Sequence, residues 1–287
     1  MYKAIAIVMS AAVAALMGGS PVAAAAAPPP NDKFSLATPI AYLPFEAAHV
    51  NNWAATLDKN EFDPSCSSVD STIWYKIVPS SDYTLRVRAT PDTDIDLVIA
   101  VYQGTTYGSL SEQACADTLG QWGEELVRAD LVSGNTYYIQ VGGNYYAGAT
   151  GDFTVKARRE PPPANDNFVN AATVPLGSIS NATTYGATTQ TGELNACAGY
   201  KTVWYRYTPA TTRTIIANTN DSSFDTVLAV YVGSALDSLD LVTCNDDQSA
   251  SLASQVKLKV YAGTTYYFQV GGYSGHSGEL VFRLKKA

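Results

Sequence analysis

The sequence repeats itself once, with blocks recurring at an offset near 130 residues. Asp96-Leu97-Val98-Ile99-Ala100-Val101-Tyr102-Gln103-Gly104 returns as Asp225-Thr226-Val227-Leu228-Ala229-Val230-Tyr231-Val232-Gly233. Gly134-Asn135-Thr136-Tyr137-Tyr138-Ile139-Gln140-Val141-Gly142-Gly143 returns as Gly263-Thr264-Thr265-Tyr266-Tyr267-Phe268-Gln269-Val270-Gly271-Gly272, and Trp74-Tyr75-Lys76 as Trp204-Tyr205-Arg206. That offset is too long for a solenoid unit and suits a whole domain with its own core. Each copy opens on a proline triplet, Pro28 to Pro30 and Pro161 to Pro163, a stiff extended segment that cannot enter a sheet interior. Two similar domains are expected in tandem, residues 28–159 and 160–287.

Within a copy the hydrophobic period is two. Val256, Leu258 and Val260 alternate with Lys257 and Lys259, while Leu280, Phe282 and Leu284 alternate with Val281, Arg283 and Lys285. Further strands are predicted over 203–207, 214–218, 226–231 and 265–270, between clusters of Gly, Ser, Asn and Asp. With 19 tyrosines and many threonines and valines, the composition is that of sheets. Seven or eight short strands per copy predict an all-β fold of two tandem antiparallel β-sandwiches of jelly-roll type.

The first 27 residues read differently. Lys3 precedes the apolar stretch Ala4 to Met17, followed by Gly18, Gly19, Ser20, Pro21 and the alanines Ala23 to Ala27. This is the pattern of a cleaved secretory signal peptide, and the apolar stretch falls short of the ~20 residues that cross a bilayer. The exported chain, with no spanning segment after cleavage, is expected to be secreted or held in a bacterial cell envelope. Its four cysteines suit that oxidising setting. They allow three pairings, and because Cys66 and Cys197 precede the Trp-Tyr motifs while Cys115 and Cys244 follow the Val-Tyr-x-Gly motifs, one bridge per copy is the simplest. Each would close a loop of nearly fifty residues. A zinc site is the rival reading, and the spacing is not that of CxxC pairs.

Eighteen basic residues against 26 acidic ones give a net charge of −8, which becomes −9 when Lys3 leaves with the leader. No basic run is visible, so nucleic acid is not an expected partner. The chain has two histidines, His49 and His276, at positions that are not equivalent between copies, and it lacks both a G-x-S-x-G elbow and an H-E-x-x-H helix. No catalytic residue is assigned and the protein is expected not to be an enzyme. A cryptic hydrolase using paired carboxylates stays open, since such pairs cannot be recognised from spacing.

The opening Asn165-Asp166-Asn167-Phe168, with Gly192-Glu193, Val203-Trp204-Tyr205-Arg206, Phe224-Asp225, Cys244-Asn245-Asp246-Asp247 and the block ending at Gly271-Gly272, resembles the bacterial pre-peptidase C-terminal domain family. The resemblance covers nearly all of the second copy and, more loosely, the first, where Cys115-Ala116-Asp117 replaces Cys244-Asn245-Asp246. It implies jelly-roll modules appended to exported enzymes, some of which bind calcium, collagen or polysaccharide. Here the two copies fill the exported chain and leave no room for a peptidase.

Carboxylates suit calcium, which takes six to eight oxygens. Asp92, Asp94 and Asp96 alternate, and Asp221 and Asp225 recur at the same offset, with Asp246 and Asp247 following Cys244. The family's calcium-binding members place acidic and amide ligands at the domain opening, which implies Asn31, Asp32, Asn165 and Asp166 here. The competing reading is that these residues bond local backbone in turns. Aromatics in loops supply the candidate ligand-binding residues: Trp122, Tyr145, Tyr146 and Tyr273. Flat rings beside Asn and Asp suit sugars, and equally suit the cover of a sandwich end. The leading expectation is a module that binds an extracellular polysaccharide or protein polymer; a structural or adhesion protein of the cell surface is the alternative.

Overall fold

A computed structural model describes residues 26–248 and 251–287. Most of the expected leader, residues 1–27, lies outside the described residues. Among the described residues there is no α-helix, only 3-10 turns, and no helix is long and apolar enough to cross a membrane.

The first copy contains β1 (Thr38–Pro39), β2 (Phe45–Asn51), β3 (Val69–Ile77), β4 (Tyr83–Pro91), β5 (Leu97–Gln103), β6 (Ser111–Ala116), β7 (Glu125–Leu131), β8 (Tyr137–Asn144) and β9 (Asp152–Arg159). The second repeats the series as β10 (Ala172–Thr173), β11 (Ser178–Thr183), β12 (Gly199–Tyr207), β13 (Arg213–Asn218), β14 (Thr226–Val232), β15 (Asp240–Asn245), β16 (Gln255–Val260), β17 (Tyr266–Tyr273) and β18 (Glu279–Lys286). Each copy is a sandwich of a five-stranded sheet, β1-β3-β8-β5-β6 or β10-β12-β17-β14-β15, and a four-stranded sheet, β2-β9-β4-β7 or β11-β18-β13-β16. Every strand ladder stays within its copy. One detail departs from the all-antiparallel expectation. The two-residue strands β1 and β10 run parallel to β3 and β12, because the segment after each proline triplet reaches the sheet edge along β3 or β12 rather than by a hairpin.

The alternating strands behave as their period requires. Val256, Leu258 and Val260 are buried with Leu280, Phe282 and Leu284 in the core of the second copy. The five-stranded sheets differ, because both faces are covered. Leu97 to Tyr102 are all buried: Leu97, Ile99 and Val101 join the main core, while Ala100 and Tyr102 join Phe34, Trp74 and Tyr138 in a second apolar layer outside the sheet. Phe34 meets Trp74 edge-on at 5.4 Å, and Phe168 meets Trp204 at 5.2 Å. The opening segment of each copy thus seals the outer face, and a strand covered on both sides reads as a continuous apolar run.

Cys66 pairs with Cys115 and Cys197 with Cys244, across 49 and 47 residues. The two copies touch through side chains. Asp130 accepts Ser277 Oγ at 2.7 Å and faces Lys201 Nζ at 2.7 Å, and Gly186 N donates to Thr84 Oγ1 at 3.1 Å.

Candidate acidic and aromatic loop ends

The opening Asn-Asp pairs are spent on the fold. Asn31 Nδ2 donates to the Trp74 carbonyl at 3.0 Å and Trp74 N returns a bond to the Asn31 carbonyl at 2.9 Å. Asn165 and Trp204 repeat this exchange at 3.0 and 2.8 Å. Asp32 accepts Thr56 N at 2.5 Å and pairs with Lys33 at 3.1 Å, and Asp166 accepts Thr188 N at 2.6 Å and Thr188 Oγ1 at 2.8 Å. All four side chains fasten the opening segment across the sheet, as local hydrogen bonds satisfy buried polar groups.

The carboxylates after the apolar strands are arranged otherwise. Asp225, Asp246 and Asp247 bring ligand oxygens within 4.8 Å of one another, and they are the one such group among the described residues. Asp225 stands just before β14, while Asp246 and Asp247 follow β15, so the β14–β15 pairing and the Cys197–Cys244 bridge hold the two ends together. Asp225 Oδ1 and Asp246 Oδ1 are buried without a hydrogen-bond partner. Burial first, then Asp247, pushes the Asp225 carboxyl up, with His276 opposing; burial, then Asp225 and Asp247, does the same to Asp246. Three carboxylates with two orphaned oxygens, and among the described residues no cationic side chain in ion-pair reach, have the donor chemistry of a hard divalent cation's ligands.

The first copy has a related arrangement around the expected Asp96, with Asp117 and Glu125, which were not among the expected ligands, beside it. Asp96 is 4% exposed and its Oδ1 has no partner. Burial, then Asp117 and Glu125, raises its pKa. Here more of the carboxylate oxygens are hydrogen-bonded: Asn144 Nδ2 donates to Asp117 at 3.1 Å, and Glu125 accepts Thr118 N and Leu119 N at 2.9 and 2.6 Å. Asp117 occupies the position equivalent to Asp246, so the duplication was the signal that could have found it. The other candidates lie apart. Asp92 accepts Thr154 Oγ1 and pairs with the exposed His49 at 3.1 Å, Asp94 is exposed, and Asp221 faces Arg283 at 2.5 Å. At His49 the carboxylate, not the imidazole, contacts the hydroxyl, which is not the order of a nucleophilic triad.

The aromatic candidates gather at the same end of the first copy. Trp122 is 62% exposed, and its N–H donates to the Ile95 carbonyl, beside Asp96. Tyr145 and Tyr146 are 60% and 82% exposed, with ring centroids 5.0 Å apart and nearly perpendicular. Their loop is tied to the same turn by Asn144 N to the Asp96 carbonyl at 2.8 Å and Asp96 N to the Gly148 carbonyl at 3.3 Å. A side chain on Gly143 would overlap the Ala149 carbonyl, so the second glycine of the repeated motif lets this loop fold back over the strand. In the second copy Tyr273 alone stands in this place, 41% exposed, with its N–H on the Asp225 carbonyl.

A further polar network is duplicated and buried. Glu193 accepts Trp204 Nε1, Thr202 Oγ1 and Gln269 Nε2, and Gln269 accepts Tyr231 OH at 2.8 Å. Glu61, Thr72, Gln140 and Tyr102 repeat it without the indole contact. Burial raises both glutamates despite these bonds. The glutamine inside each Tyr-Tyr-x-Gln-Val block marks the network in sequence.

No family model matches the chain, and no curated protein matches it. Among solved structures, the pre-peptidase C-terminal domain of collagenase from Bacillus anthracis overlaps 40% of this chain and 94% of its own, at 15% identity and a TM-score of 0.29. The CBM32-1 and CBM32-2 domains of Clostridium perfringens ZmpB overlap 75% of this chain and 82% of their own, at 8% identity and 0.22. The CUB1-EGF-CUB2 domains of rat MASP-1 overlap 77% and 95%, at 10% and 0.18.

Proposed function

We propose that this is an exported, non-catalytic binding protein whose two domains each present a loop end to an extracellular polymer, with a glycan as the ligand class. The supporting observation is the convergence of Trp122, Tyr145 and Tyr146, all exposed, on the turn that carries the buried carboxylate of Asp96. Exposed rings on ordered loops offer apolar faces to sugar C–H groups, and the neighbouring amides and carboxylates take hydroxyls. The alanine-rich leader and two disulfides favour a secreted or envelope location. The residue pattern places the chain near the pre-peptidase C-terminal domain family. In the second copy the loop end is a calcium site held by Asp225, Asp246 and Asp247, which the cation would rigidify by offsetting their mutual repulsion.

The reading is tested by glycan-array binding of the intact protein with and without calcium. Replacing Trp122 and Tyr146 by Ala together should weaken a detected ligand by about tenfold or more, taking ~1–3 kcal/mol per lost stacking contact as the scale. Unchanged binding would assign the rings to surface cover. Turnover of a glycan that is lost on Asp246→Asn would replace the reading with that of a hydrolase, and self-assembly without ligand would favour a structural role.

A further inference from the structure

The outer face of the first copy's four-stranded sheet carries its cations in rows. Side chains alternate along a strand, so with Leu85, Val87 and Ala89 in the core, Arg86 and Arg88 of β4 point outward. The register places Arg158 of β9 and Arg128 of β7 on either side of Arg86, and Lys156 of β9 beside Arg88. Three guanidiniums therefore lie in one row about 10 Å wide, two strand spacings. Like charges directly opposite destabilise a sheet, so packing alone would not select this row.

The compensation is incomplete. Glu160 stands 3.6 Å from Arg86 and 3.4 Å from Arg128, Glu124 2.5 Å from Arg88, and Glu46 3.4 Å from Lys156. Arg86, Arg88, Arg128 and Lys156 are thus each paired, Arg128 also reaching Glu279 of the second copy at 3.8 Å, whereas Arg158 has no carboxylate in ion-pair reach among the described residues. The Nε atoms of Arg86 and Arg128 face one Glu160 oxygen without hydrogen-bond geometry, and the Nε of Arg88 is buried without a hydrogen-bond partner. Burial holds the Arg86 guanidinium below its ordinary range, with Glu160 opposing and Arg158, Arg88 and Arg128 adding to the shift. A hollow of about 580 Å³ opens here, lined by Arg86, Arg88, Lys156 and Arg158 together with Glu46 and Glu124, and edged by Pro44.

The second copy supplies an internal comparison. On the equivalent sheet Ile216 stands between Lys257 and Lys285, and Asn218 beside Arg283, so the central strand has no cation where β4 has Arg86 and Arg88. The row is a property of one copy, not of the fold.

We propose that this face of the first copy binds an acidic polysaccharide, its carboxylate or sulfate groups on Arg86, Arg88, Lys156 and Arg158 and a ring against Pro44. The width of the cationic strip matches a single chain. A nucleic acid duplex carries one charge per ~1.7 Å of axis, denser than the one charge per ring of a polyuronate, so the protein's net negative charge opposes the duplex more strongly beyond the strip. The exposed Pro44 adds apolar contact suited to a sugar ring, and guanidiniums grip carboxylates in pairs of hydrogen bonds. This surface is a sheet face built from other residues than the aromatic loop end, and its binding is argued from different side chains.

The test is binding of the intact protein to polygalacturonate and to heparin, followed by titration across a range of salt. Lys156 and Arg158 are exposed, so Lys156→Gln/Arg158→Gln should keep the parent's melting curve. It should weaken Kd about tenfold and flatten the log–log salt slope by about 1.4, at ~0.7 per lost contact for a single-stranded polyanion. Lys257→Gln/Lys285→Gln removes the same charge from the second copy and should leave Kd within about twofold. Absence of binding to both glycans, equal weakening by the two double variants, or tighter binding of a DNA duplex than of either glycan would overturn the proposal.

Discussion

Replacing Asp246 by Asn removes one charge from the second copy's acidic group while keeping its shape. The ligand oxygens there lie within 4.8 Å of one another. At that distance like charges repel by ~3.5 kcal/mol at an effective dielectric of 20 and by ~0.9 kcal/mol in bulk water. Asp247 is exposed and the other two are half-buried, so solvent screening moves the value toward the lower figure. With two neighbours relieved, Asp246→Asn should stabilise the cation-free protein by about 1–2 kcal/mol at neutral pH, roughly 4–8 °C in Tm for a domain of this size. The pH dependence has a definite sign. An acid whose pKa is raised in the folded state binds more protons there than in the unfolded chain, so stability falls as pH rises from the unfolded value through the folded one. The variant's advantage should be complete above that window and vanish below about pH 3.9. Calcium should reverse the order, because at one hundred times its dissociation constant it stabilises the parent by about 2.7 kcal/mol, and the variant by less. Magnesium should do little, as it demands octahedral geometry and keeps its waters. Thermal melts in chelator, calcium and magnesium at several pH values read all of these. A variant less stable than the parent in chelator, or a parent indifferent to millimolar calcium, would refute the reasoning.

The Cys197–Cys244 bridge closes a loop across 47 residues, so Cys197→Ser/Cys244→Ser should cost about 4 kcal/mol by the chain-entropy argument. Urea unfolding checks this, and a loss below about 1 kcal/mol would mean the unfolded chain is already confined there. Because every ladder stays within one copy, residues 28–159 and 160–287 produced separately should each melt cooperatively. A half that stays unfolded alone would show that the contacts of Asp130 with Ser277 and Lys201 are part of its stability.

Much of the architecture is legible in one dimension because it is periodic. The duplication appears as matched blocks, the sandwich strands as alternation in Val256-Lys257-Leu258-Lys259-Val260, and the cysteine equivalence as spacing. These depend on neighbours along the chain or on one long offset. The sites depend on neighbours across it. Asn165-Asp166 and Asp246-Asp247 look alike as acidic pairs, yet the first is tied down by Trp204 and Thr188 while the second joins Asp225 with oxygens left over. Asp117 and Glu125 become neighbours of Asp96 only when the turn before β5 and the loop between β6 and β7 close on one end. The cationic row is invisible in sequence for the same reason: net charge sums over the whole chain, whereas Arg86, Arg128 and Arg158 are distant in sequence and stand in one row through the β4–β7 and β4–β9 registers. Which residues alternate was written in the sequence; which alternating residues stand side by side was decided by strand register, a tertiary choice driven by burial of the opposite face.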